Sequence, residues 1–478
     1  MKKFLKTETS IYVILFGVCV FILLQSPLAP FAKSIIGIDS SVFIYSARQI
    51  LDGQLIYHDI VDHKGPFLYF IDVMALFIFN RSFIGIWIFE VLSLFVASVM
   101  MYRTARFFAD KVSSLLAVIT SILFLIPLLV GGNLTEEWAL PYISIALYIF
   151  VDYLKGNKPL SIVRLFILSL TFVLTFMLRA NLVAIWGSFG IVLLIKWIVE
   201  KRYKELIRNL LFILLFVLLS MLPFFLYFYC KGTLSDAIYL VFKFNMFEYA
   251  QNSNMFTTIL KTSRYIYDGC IIAIIIAIYM FFRDKTIING GILLAFVFTT
   301  LACSLGAFYQ HYFMIFSPLL VISYAYILRL IKETIPKKKY ICLFIIFILF
   351  NFNVIETQIG IIKGNYSEKA PNSTLEKLKE IITLNTKPTD KILVKGIAVY
   401  LYLYSDRICA TRFPYTLKGA SLLEKYYVKD TEKALPKLII QGKFVSLSDI
   451  YSLDNLLNTK YQLMPTDIEN VEIWKLKE

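Results

Sequence analysis

Residues 37–70, with the sequence GIDSSVFIYSARQILDGQLIYHDIVDHKGPFLYF, separate a first apolar segment that is long enough to span a bilayer from a series of further apolar segments. No other connection in the first three-quarters of the chain holds as many ionisable and hydrogen-bonding side chains. These side chains belong to Asp39, Arg48, Asp52, His58, Asp59, Asp62, His63 and Lys64. Ionisable groups held against a membrane are costly and often functional. We therefore expect this polar segment to carry the chemistry of the protein.

The composition indicates a polytopic membrane protein. Hydrophobic residues make up 59% of the 478 residues and charged residues 17%, whereas soluble domains are about 45–50% apolar. Apolar runs of about 20 residues recur along the chain, each long enough to cross a bilayer. Most Lys and Arg residues stand between these runs, where they determine the orientation of the helices in the membrane. The net charge of +15 therefore indicates membrane lipids as partners and does not indicate nucleic acid. The 6 cysteines are scattered singly, without a disulfide framework or a CxxC motif.

The apolar segment at residues 66–79 decides the topology. Its length of about 14 residues is short for a crossing helix and typical of a helix that lies in the membrane interface. If it crossed, the basic loop at 103–111 would fall outside and the alternation of charge would break down. If it lies flat, every later basic loop falls on the same side as Lys2, Lys3 and Lys6. We therefore predict that this segment lies flat on the outer surface of the cell membrane.

The sequence then predicts an all-α polytopic bundle of about 11 transmembrane helices with additional interfacial helices. The predicted spans are residues 10–30, 83–102, 112–130, 138–154, 161–178, 181–199, 208–229, 266–282, 287–306, 312–331 and 340–357. The N-terminus is then cytoplasmic and the C-terminus extracytoplasmic. Beyond residue 359 the chain becomes more polar, and short β-type runs at 391–394, 437–440 and 471–476 alternate with helical patterns. We predict a transmembrane domain at 1–359 and a small extracytoplasmic α/β domain at 360–478.

The predicted topology gathers acids, bases and cations on the outer side. They are His58, His63, His311, Asp39, Asp59, Asp62, Glu136, Glu137, Lys64 and Arg179. Carboxylates can act as a general base or bind a metal, whereas Lys and Arg can hold a phosphate. A site with both kinds of group suits the transfer of a group from a phosphate-linked donor to an acceptor hydroxyl, because the cations neutralise the charge that builds up on the leaving phosphate.

Each of these residues also has a structural interpretation. Asp39 fits the cap of a helix that begins at Ser41, and an acidic pair at 136–137 fits the first turn of a span. Lys64 and Arg179 fit snorkelling residues at the interface, although an outer-side cation at 179 runs against the charge bias. His311 fits an interfacial residue among aromatics. His58 could bind a metal ion together with Asp62 or His63, but the spacing of these residues is not specific to a metal site.

The order of several motifs resembles the membrane-embedded glycosyltransferases of the C superfamily, such as bacterial aminoarabinose transferases and protein mannosyltransferases. The matching features are Asp39 soon after the first span, DHKGPFLYF at 62–70, NLTEEWALP at 133–141, YQHYFMIFSPLL at 309–320 and the α/β tail. The resemblance covers nearly the whole chain. It implies transfer of a hexose or pentose from a polyprenyl-phosphate donor to a glycan, lipid or protein acceptor on the outer face, in the building of the cell envelope.

The resemblance also implies roles for individual residues. Asp39 matches the acidic residue that serves as the catalytic base, and Lys64 matches the lysine that contacts the lipid phosphate. The remaining substrate-binding residues that we expect are Asp62, His63, Glu136, Glu137, Arg179, His311 and Tyr312. Among them, Arg179 is included because it is a cation on the predicted outer side of the membrane. Many members have an acidic pair where this chain has Asp39-Ser40. This difference removes one potential metal ligand. The sequence therefore predicts no certain cofactor, and a divalent metal ion is an alternative that it leaves open.

Two other functions fit a polytopic protein with a polar tail. A transporter or flippase of lipid-linked sugars predicts ionisable residues near span centres, of which Glu90 is the clearest, together with internal repeats. A non-catalytic protein that binds glycans through its tail is a third hypothesis. The concentration of charge at one face favours the enzyme.

Overall fold

The computed structural model describes residues 7–156, 158–249, 255–304, 308–335, 339–367, 373–415, 421–442 and 452–477. The chain forms two compact units. The first unit comprises Met1–Ala29, Ile86–Leu226 and Ser253–Lys363, and the second comprises Pro30–Gly85, Tyr227–Asn252 and Gly364–Glu478. The second unit thus joins the tail to two earlier segments of the chain. The division into domains at 1–359 and 360–478 stays a prediction.

Helices dominate both units. In chain order the α-helices are α1 (Glu8–Leu23), α2 (Ile38–Leu51), α3 (Pro66–Ile78), α4 (Ile84–Ala105), α5 (Lys111–Leu123), α6 (Thr135–Leu154), α7 (Ile162–Leu178), α8 (Ala184–Val199), α9 (Tyr203–Cys230), α10 (Leu234–Ile238), α11 (Met255–Arg283), α12 (Ile287–Ser304), α13 (Ser317–Thr334), α14 (Lys339–Asn365), α15 (Ser373–Asn385), α16 (Tyr400–Ser405), α17 (Ser421–Ala434) and α18 (Asp454–Lys460). The strands are β1 (Lys391–Lys395), β2 (Ile408–Cys409), β3 (Leu438–Gly442), β4 (Tyr461–Met464) and β5 (Val471–Leu476).

The apolar helices confirm a multi-pass membrane protein. Every predicted span overlaps a helix between α1 and α14. Among the described residues, 6 helical segments are long and apolar enough to cross a membrane. They are Ile84–Ala105, Lys111–Leu128, Ala180–Val199, Tyr203–Cys230, Gln310–Thr334 and Tyr340–Asn365. The count of about 11 crossings and the orientation of the chain stay predictions.

Two shorter helices in the second unit, α2 and α3, carry the polar segment between them. Helix α3 begins with Pro66, whose missing N–H is harmless at the first helical position. Its 13 residues extend about 20 Å, less than the roughly 30 Å of a bilayer's hydrocarbon core. This length agrees with the predicted interfacial placement of α3.

The tail contains a mixed five-stranded sheet with the strand order β2-β1-β3-β5-β4. Strand β1 pairs in parallel with β2 and β3, whereas β5 pairs antiparallel with β3 and β4. The predicted strands at 391–394, 437–440 and 471–476 coincide with β1, β3 and β5, so the α/β tail is confirmed. The two parallel strands β1 and β3 are almost continuously buried, as expected for strands that are covered on both faces.

A left-handed turn in the first unit sets the start of α6. The turn residues Gly131, Gly132 and Asn133 all have positive φ, of 92°, 76° and 57°. The buried carboxylate of Glu90 in α4 accepts a hydrogen bond from the backbone N–H of Asn133 at 2.5 Å. The Asn133 side chain in turn accepts a hydrogen bond from Nε1 of Trp138 at 2.8 Å. Glu90 therefore anchors the turn from which the acidic first turn of α6 follows.

We expect Gly132→Ala to destabilise the protein more than Gly156→Ala. Both glycines have a φ of +76°, so each substitution strains the backbone by about 1–3 kcal/mol. A Cβ at Gly132 would also lie 2.6 Å from Oε1 of Glu90, whereas nothing lies within 4 Å at Gly156. Thermal unfolding of the two purified variants measures the difference. An equal fall in Tm would contradict the close fit between Glu90 and the turn.

Candidate active site

Asp39 lies exposed in the first turn of α2. The N-cap residue of this helix is Gly37, and no side chain caps it, so Asp39 is not the capping residue. The first turn of a helix is a favourable place for a negative charge. Asp39 makes no hydrogen bond or ion pair with the residues that the structure describes. Its carboxylate is therefore accessible to a reactant.

Asp62 holds the backbone of the two residues that follow it. The residue is 0% exposed, and its Oδ1 accepts hydrogen bonds from the backbone N–H of His63 at 2.5 Å and of Lys64 at 3.4 Å. The same oxygen accepts a hydrogen bond from the hydroxyl of Tyr415 at 2.8 Å. Donors of this kind offset the cost of burying a carboxylate. The geometry supports a positioning role for Asp62 more directly than contact with a substrate.

The carbonyl group of Lys64 is fixed as well. The hydroxyl of Tyr57 donates a hydrogen bond to it at 2.6 Å. Burial, and then the nearby charge of Asp62, raises the pKa of Tyr57 well above its usual value, so the hydroxyl keeps its proton. The backbone of Lys64 is therefore held at both its N–H and its C=O, which limits the directions in which its side chain can reach.

Glu136 and Arg179 form a buried ion pair in the first unit. Glu136 lies in the first turn of α6 and is 1% exposed. Its Oε1 accepts a hydrogen bond from Nη1 of Arg179 at 2.8 Å, and its Oε2 accepts one from the Thr135 hydroxyl at 2.8 Å. The Arg179 side chain is only 16% exposed. This burial excludes the interpretation of Arg179 as a residue that snorkels to water.

Tyr312 and His311 complete this cluster. Nη2 of Arg179 donates a hydrogen bond to the Tyr312 hydroxyl at 2.5 Å, and the guanidinium lies 3.9 Å from the centre of the Tyr312 ring. Nε2 of His311 lies 4.0 Å from Oε2 of Glu136. Burial acts to lower the pKa of Arg179, but Tyr312 and Glu136 outweigh it, so the pKa is raised and the cation persists. Four predicted site residues thus form one network.

Glu137 has a different environment from its neighbour. It is 2% exposed, and neither of its carboxylate oxygens has a hydrogen-bond partner of acceptable geometry among the described residues. Burial disfavours its negative charge, and the backbone N–H groups of Leu134 and Asn133 offset this only in part. A buried acid with so little support is unusual and marks a candidate functional group.

Three residues that hold the predicted site carry no sequence signal of their own. Tyr57 and Tyr415 are two of the 30 tyrosines of the chain, and nothing in their local sequence predicts their contacts with Lys64 and Asp62. Asn245, in the π-helical segment Tyr239–Tyr249, hydrogen-bonds to His63. These three partners are distant in sequence from most of the residues that they position, so only the folded structure identifies them.

The described residues contain no group of three or more His, Cys, Asp or Glu side chains arranged to hold a metal ion. Nδ1 of His58 instead lies 2.8 Å from Oδ2 of Asp236. This described part of the chain therefore shows no ligand set for a divalent metal.

Comparison with known proteins finds similarity in structure. No family profile and no curated protein matches the sequence. ArnT from Cupriavidus metallidurans bound to undecaprenyl phosphate matches with a TM-score of 0.64 and 12% identity over 97% of this chain and 97% of that chain. Its apo state matches with a TM-score of 0.66 and 12% identity over 98% of each chain. The archaeal oligosaccharyltransferase AglB from Archaeoglobus fulgidus, in complex with an inhibitory peptide and a dolichol-phosphate, matches with a TM-score of 0.51 and 12% identity over 91% of this chain and 69% of that chain.

The TM-scores of 0.64 and 0.66 show a shared fold, whereas an identity of 12% does not show a shared activity. The match to ArnT extends over almost the full length of both proteins, so it includes the apolar helices and the tail sheet. The chain therefore has the same overall fold as ArnT.

Proposed function

We propose that the protein is a membrane glycosyltransferase that moves a sugar from a polyprenyl-phosphate donor to a cell-surface acceptor. The acceptor class is a glycan, a lipid or a protein, and the reaction takes place on the outer face of the membrane. This proposal orients the chain with its N-terminus in the cytoplasm and its tail outside.

The observation that carries the proposal is the fixed backbone of His63 and Lys64. Asp62 and Tyr57 hold this backbone by hydrogen bonds, so the lysine is presented from a rigid support. A cation on a fixed backbone suits a phosphate group, because little backbone freedom is lost on binding. The structures of ArnT with undecaprenyl phosphate and of AglB with a dolichol-phosphate support a lipid phosphate as its ligand.

The proposed reaction is an inverting transfer. Asp39 takes the proton of the acceptor hydroxyl, whose oxygen forms a bond to the anomeric carbon of the sugar. The bond between that carbon and the donor's phosphate oxygen breaks, and the electron pair leaves with the phosphate. Lys64 compensates the negative charge that develops on the phosphate.

We assign the network of Glu136, Arg179, Tyr312 and His311 to substrate binding. Its guanidinium is fixed by a carboxylate, a hydroxyl and an aromatic ring, so it offers a preorganised charge for a polar substrate group. Glu137, which lies in the same first turn of α6, is assigned to substrate binding as well.

The alternative of a transporter or flippase predicts ionisable residues near the centres of spans. Glu90 was the clearest candidate for an ionisable residue at the centre of a span. Its carboxylate instead accepts the backbone N–H of Asn133 and anchors a turn. A carboxylate that is engaged in this way has a structural task, so it does not indicate a transport pathway.

We expect Asp39→Asn to abolish sugar transfer while the protein still folds and reaches the membrane. Loss of a general base lowers the rate by about 10²–10⁴-fold, and the substitution keeps the shape of an exposed side chain. The assay is mass spectrometry of surface glycans and lipid-linked sugars from a strain that lacks the protein and carries each variant. Asp467→Asn, at an exposed tail residue, is the control. Near-normal surface glycans with the Asp39 variant would contradict its role as the base.

We expect Lys64→Ala to weaken the binding of undecaprenyl phosphate to the purified protein by about 10-fold or more, because a charge-assisted hydrogen bond contributes about 1.5–3 kcal/mol. Lys33→Ala removes an exposed lysine that lies just before the polar segment and controls for general electrostatic attraction. Titration with the lipid phosphate measures both dissociation constants. Equal affinities for the two variants would show that Lys64 does not contact the phosphate.

We expect Arg179→Ala to lower Tm strongly, because removing one partner of a buried ion pair costs about 3–5 kcal/mol. Replacing both partners by apolar residues, as in Arg179→Met with Glu136→Leu, is often nearly neutral. The double variant should therefore regain much of the lost Tm and still fail to transfer sugar in the strain assay. Transfer by the double variant would show that the pair has only a structural function.

A further inference from the structure

A polar cavity of about 560 Å³ lies in the second unit and is lined by residues of both the polar segment and the tail. Sites for small molecules have volumes of about 300–1,000 Å³, so this cavity is large enough for a ligand. Helix α2, strand β2 and helix α17 contribute to its walls. Neither Asp39 nor Lys64 lines it, and the roles proposed above leave it without a function.

Tyr45 of α2 brings a buried hydroxyl group to this cavity. The residue is 4% exposed. Its hydroxyl oxygen accepts a hydrogen bond at 2.9 Å from the backbone N–H of Cys409, which also lines the cavity. Burial raises the pKa of Tyr45 well above its usual value, so the hydroxyl keeps its proton. Tyr45 donates no hydrogen bond to any of the described residues, and one donor therefore remains unused here.

Gln49 lies one helical turn after Tyr45, on the same face of α2. It lines the same cavity and is 8% exposed. Its carboxamide, which can both donate and accept, makes no hydrogen bond with the residues that the structure describes. Buried polar groups in folded proteins nearly always have hydrogen-bond partners. Two successive residues of one helix face with unused groups therefore indicate that a ligand supplies the partners.

A second cavity, of about 380 Å³, adjoins the first. Tyr45, Gln49, Asp52 and Ile408 line both cavities. The two residues with unused hydrogen-bonding groups thus stand where the cavities meet. The pair of cavities suits an extended ligand better than a single compact one.

The charges in the lining of the first cavity balance. It contains three carboxylates and three Lys or Arg side chains. One pair is formed within the cavity, since Arg412 donates hydrogen bonds to Asp430 from Nε at 2.7 Å and from Nη2 at 3.2 Å. A cavity without surplus charge does not select an anion or a cation. The six charged residues are Asp52, Asp59, Asp430, Lys391, Arg412 and Lys433.

These observations define the chemical class of the ligand. An apolar ligand would leave the groups of Tyr45 and Gln49 without partners, and a phosphate would favour a surplus of cations. A hydroxyl group both donates and accepts, so it can pair with the phenol proton, with the carboxamide and with the charged groups alike. A peptide offers only one donor and one acceptor per residue on its backbone, whereas a saccharide carries hydroxyls on neighbouring carbons. The cavity therefore matches a neutral saccharide.

We propose that this cavity binds a saccharide segment of the acceptor, with Tyr45 and Gln49 as hydrogen-bonding residues. Asp39, the proposed base, lies earlier in the same helix. At 1.5 Å per residue, Tyr45 and Gln49 follow it by about 9 and 15 Å along the axis, so an acceptor of several sugar units can reach from the cavity to the base. The acceptor is then a glycan or a glycolipid. Its role as acceptor rests on the proposed glycosyltransferase function, whereas the binding of a saccharide does not.

Saturation-transfer nuclear magnetic resonance tests the binding with the purified full chain in detergent micelles. The probe is the oligosaccharide fraction released by mild acid from the surface glycans of the strain that lacks the protein. We expect the wild-type protein to bind this fraction and Gln49→Leu to weaken binding about 5-fold or more, because the hydrogen bonds of the carboxamide are lost. Absence of binding to the wild-type protein would overturn the proposal.

Two further variants show whether the effect belongs to the cavity. Tyr45→Phe keeps the ring and removes the unused proton, so it should also weaken binding. It serves as the second test if Gln49→Leu does not fold. Gln462→Leu replaces an exposed glutamine in the edge strand β4 and should bind the fraction as the wild-type protein does. Equal binding by folded Gln49→Leu, Tyr45→Phe and Gln462→Leu proteins would show that the saccharide is not held in this cavity.

The strain assay separates this proposal from the proposed function. Gln49→Leu should lower sugar transfer several-fold while the affinity of the purified variant for undecaprenyl phosphate stays unchanged, because the cavity is assigned to the acceptor and not to the donor. Normal transfer by Gln49→Leu would overturn the acceptor cavity and leave the proposed function intact. If the wild-type protein transfers no sugar but binds the oligosaccharides through Gln49, the proposed function and the acceptor role fall, and the saccharide site stands.

Discussion

The second unit depends on the compensation of one buried charge, that of the Asp62 carboxylate. Its Oδ1 gathers two backbone N–H groups and the hydroxyl of Tyr415. Because an unpaired carboxylate is very costly to bury, these donors must stay in place while the protein is folded. The tail residue Tyr415 is thereby tied to the segment that presents Lys64. The tail thus contributes to the support of the proposed phosphate site as well as forming its own sheet.

In the first unit, too, buried carboxylates are compensated by hydrogen-bond donors or cations. Glu90 is matched by the backbone N–H of Asn133, and Glu136 by the guanidinium of Arg179. Both acids act on α6, since one fixes the turn before it and the other lies in its first turn. A low-dielectric interior makes such pairs costly to separate. The position of the α6 N-terminus is therefore set by electrostatics in addition to apolar packing.

The helices could be predicted from the sequence because apolar runs and basic loops are local patterns. Arg179 was identifiable for a related reason, since a cation at an outer turn runs against the charge bias. Its partners were not, because Glu136 and Tyr312 are 43 and 133 positions away. Glu90 was noticeable in the sequence only as an ionisable residue within a span, and its contact with the backbone of Asn133, 43 positions away, is seen only in the structure. The pairing of His63 with Asn245 spans 182 positions and likewise left no trace in the sequence.

The contrast between the acids also bears on which of them acts as the base. An ion-paired carboxylate is a weaker proton acceptor than an unpaired one, because the nearby cation favours its charged form. Glu136 is ion-paired with Arg179, and Oδ1 of Asp62 accepts three hydrogen bonds. Asp39 is exposed and makes no hydrogen bond or ion pair with the described residues, so taking up a proton breaks no existing contact there. An exposed acid whose charge no neighbouring cation stabilises is suited to take the proton of an incoming hydroxyl.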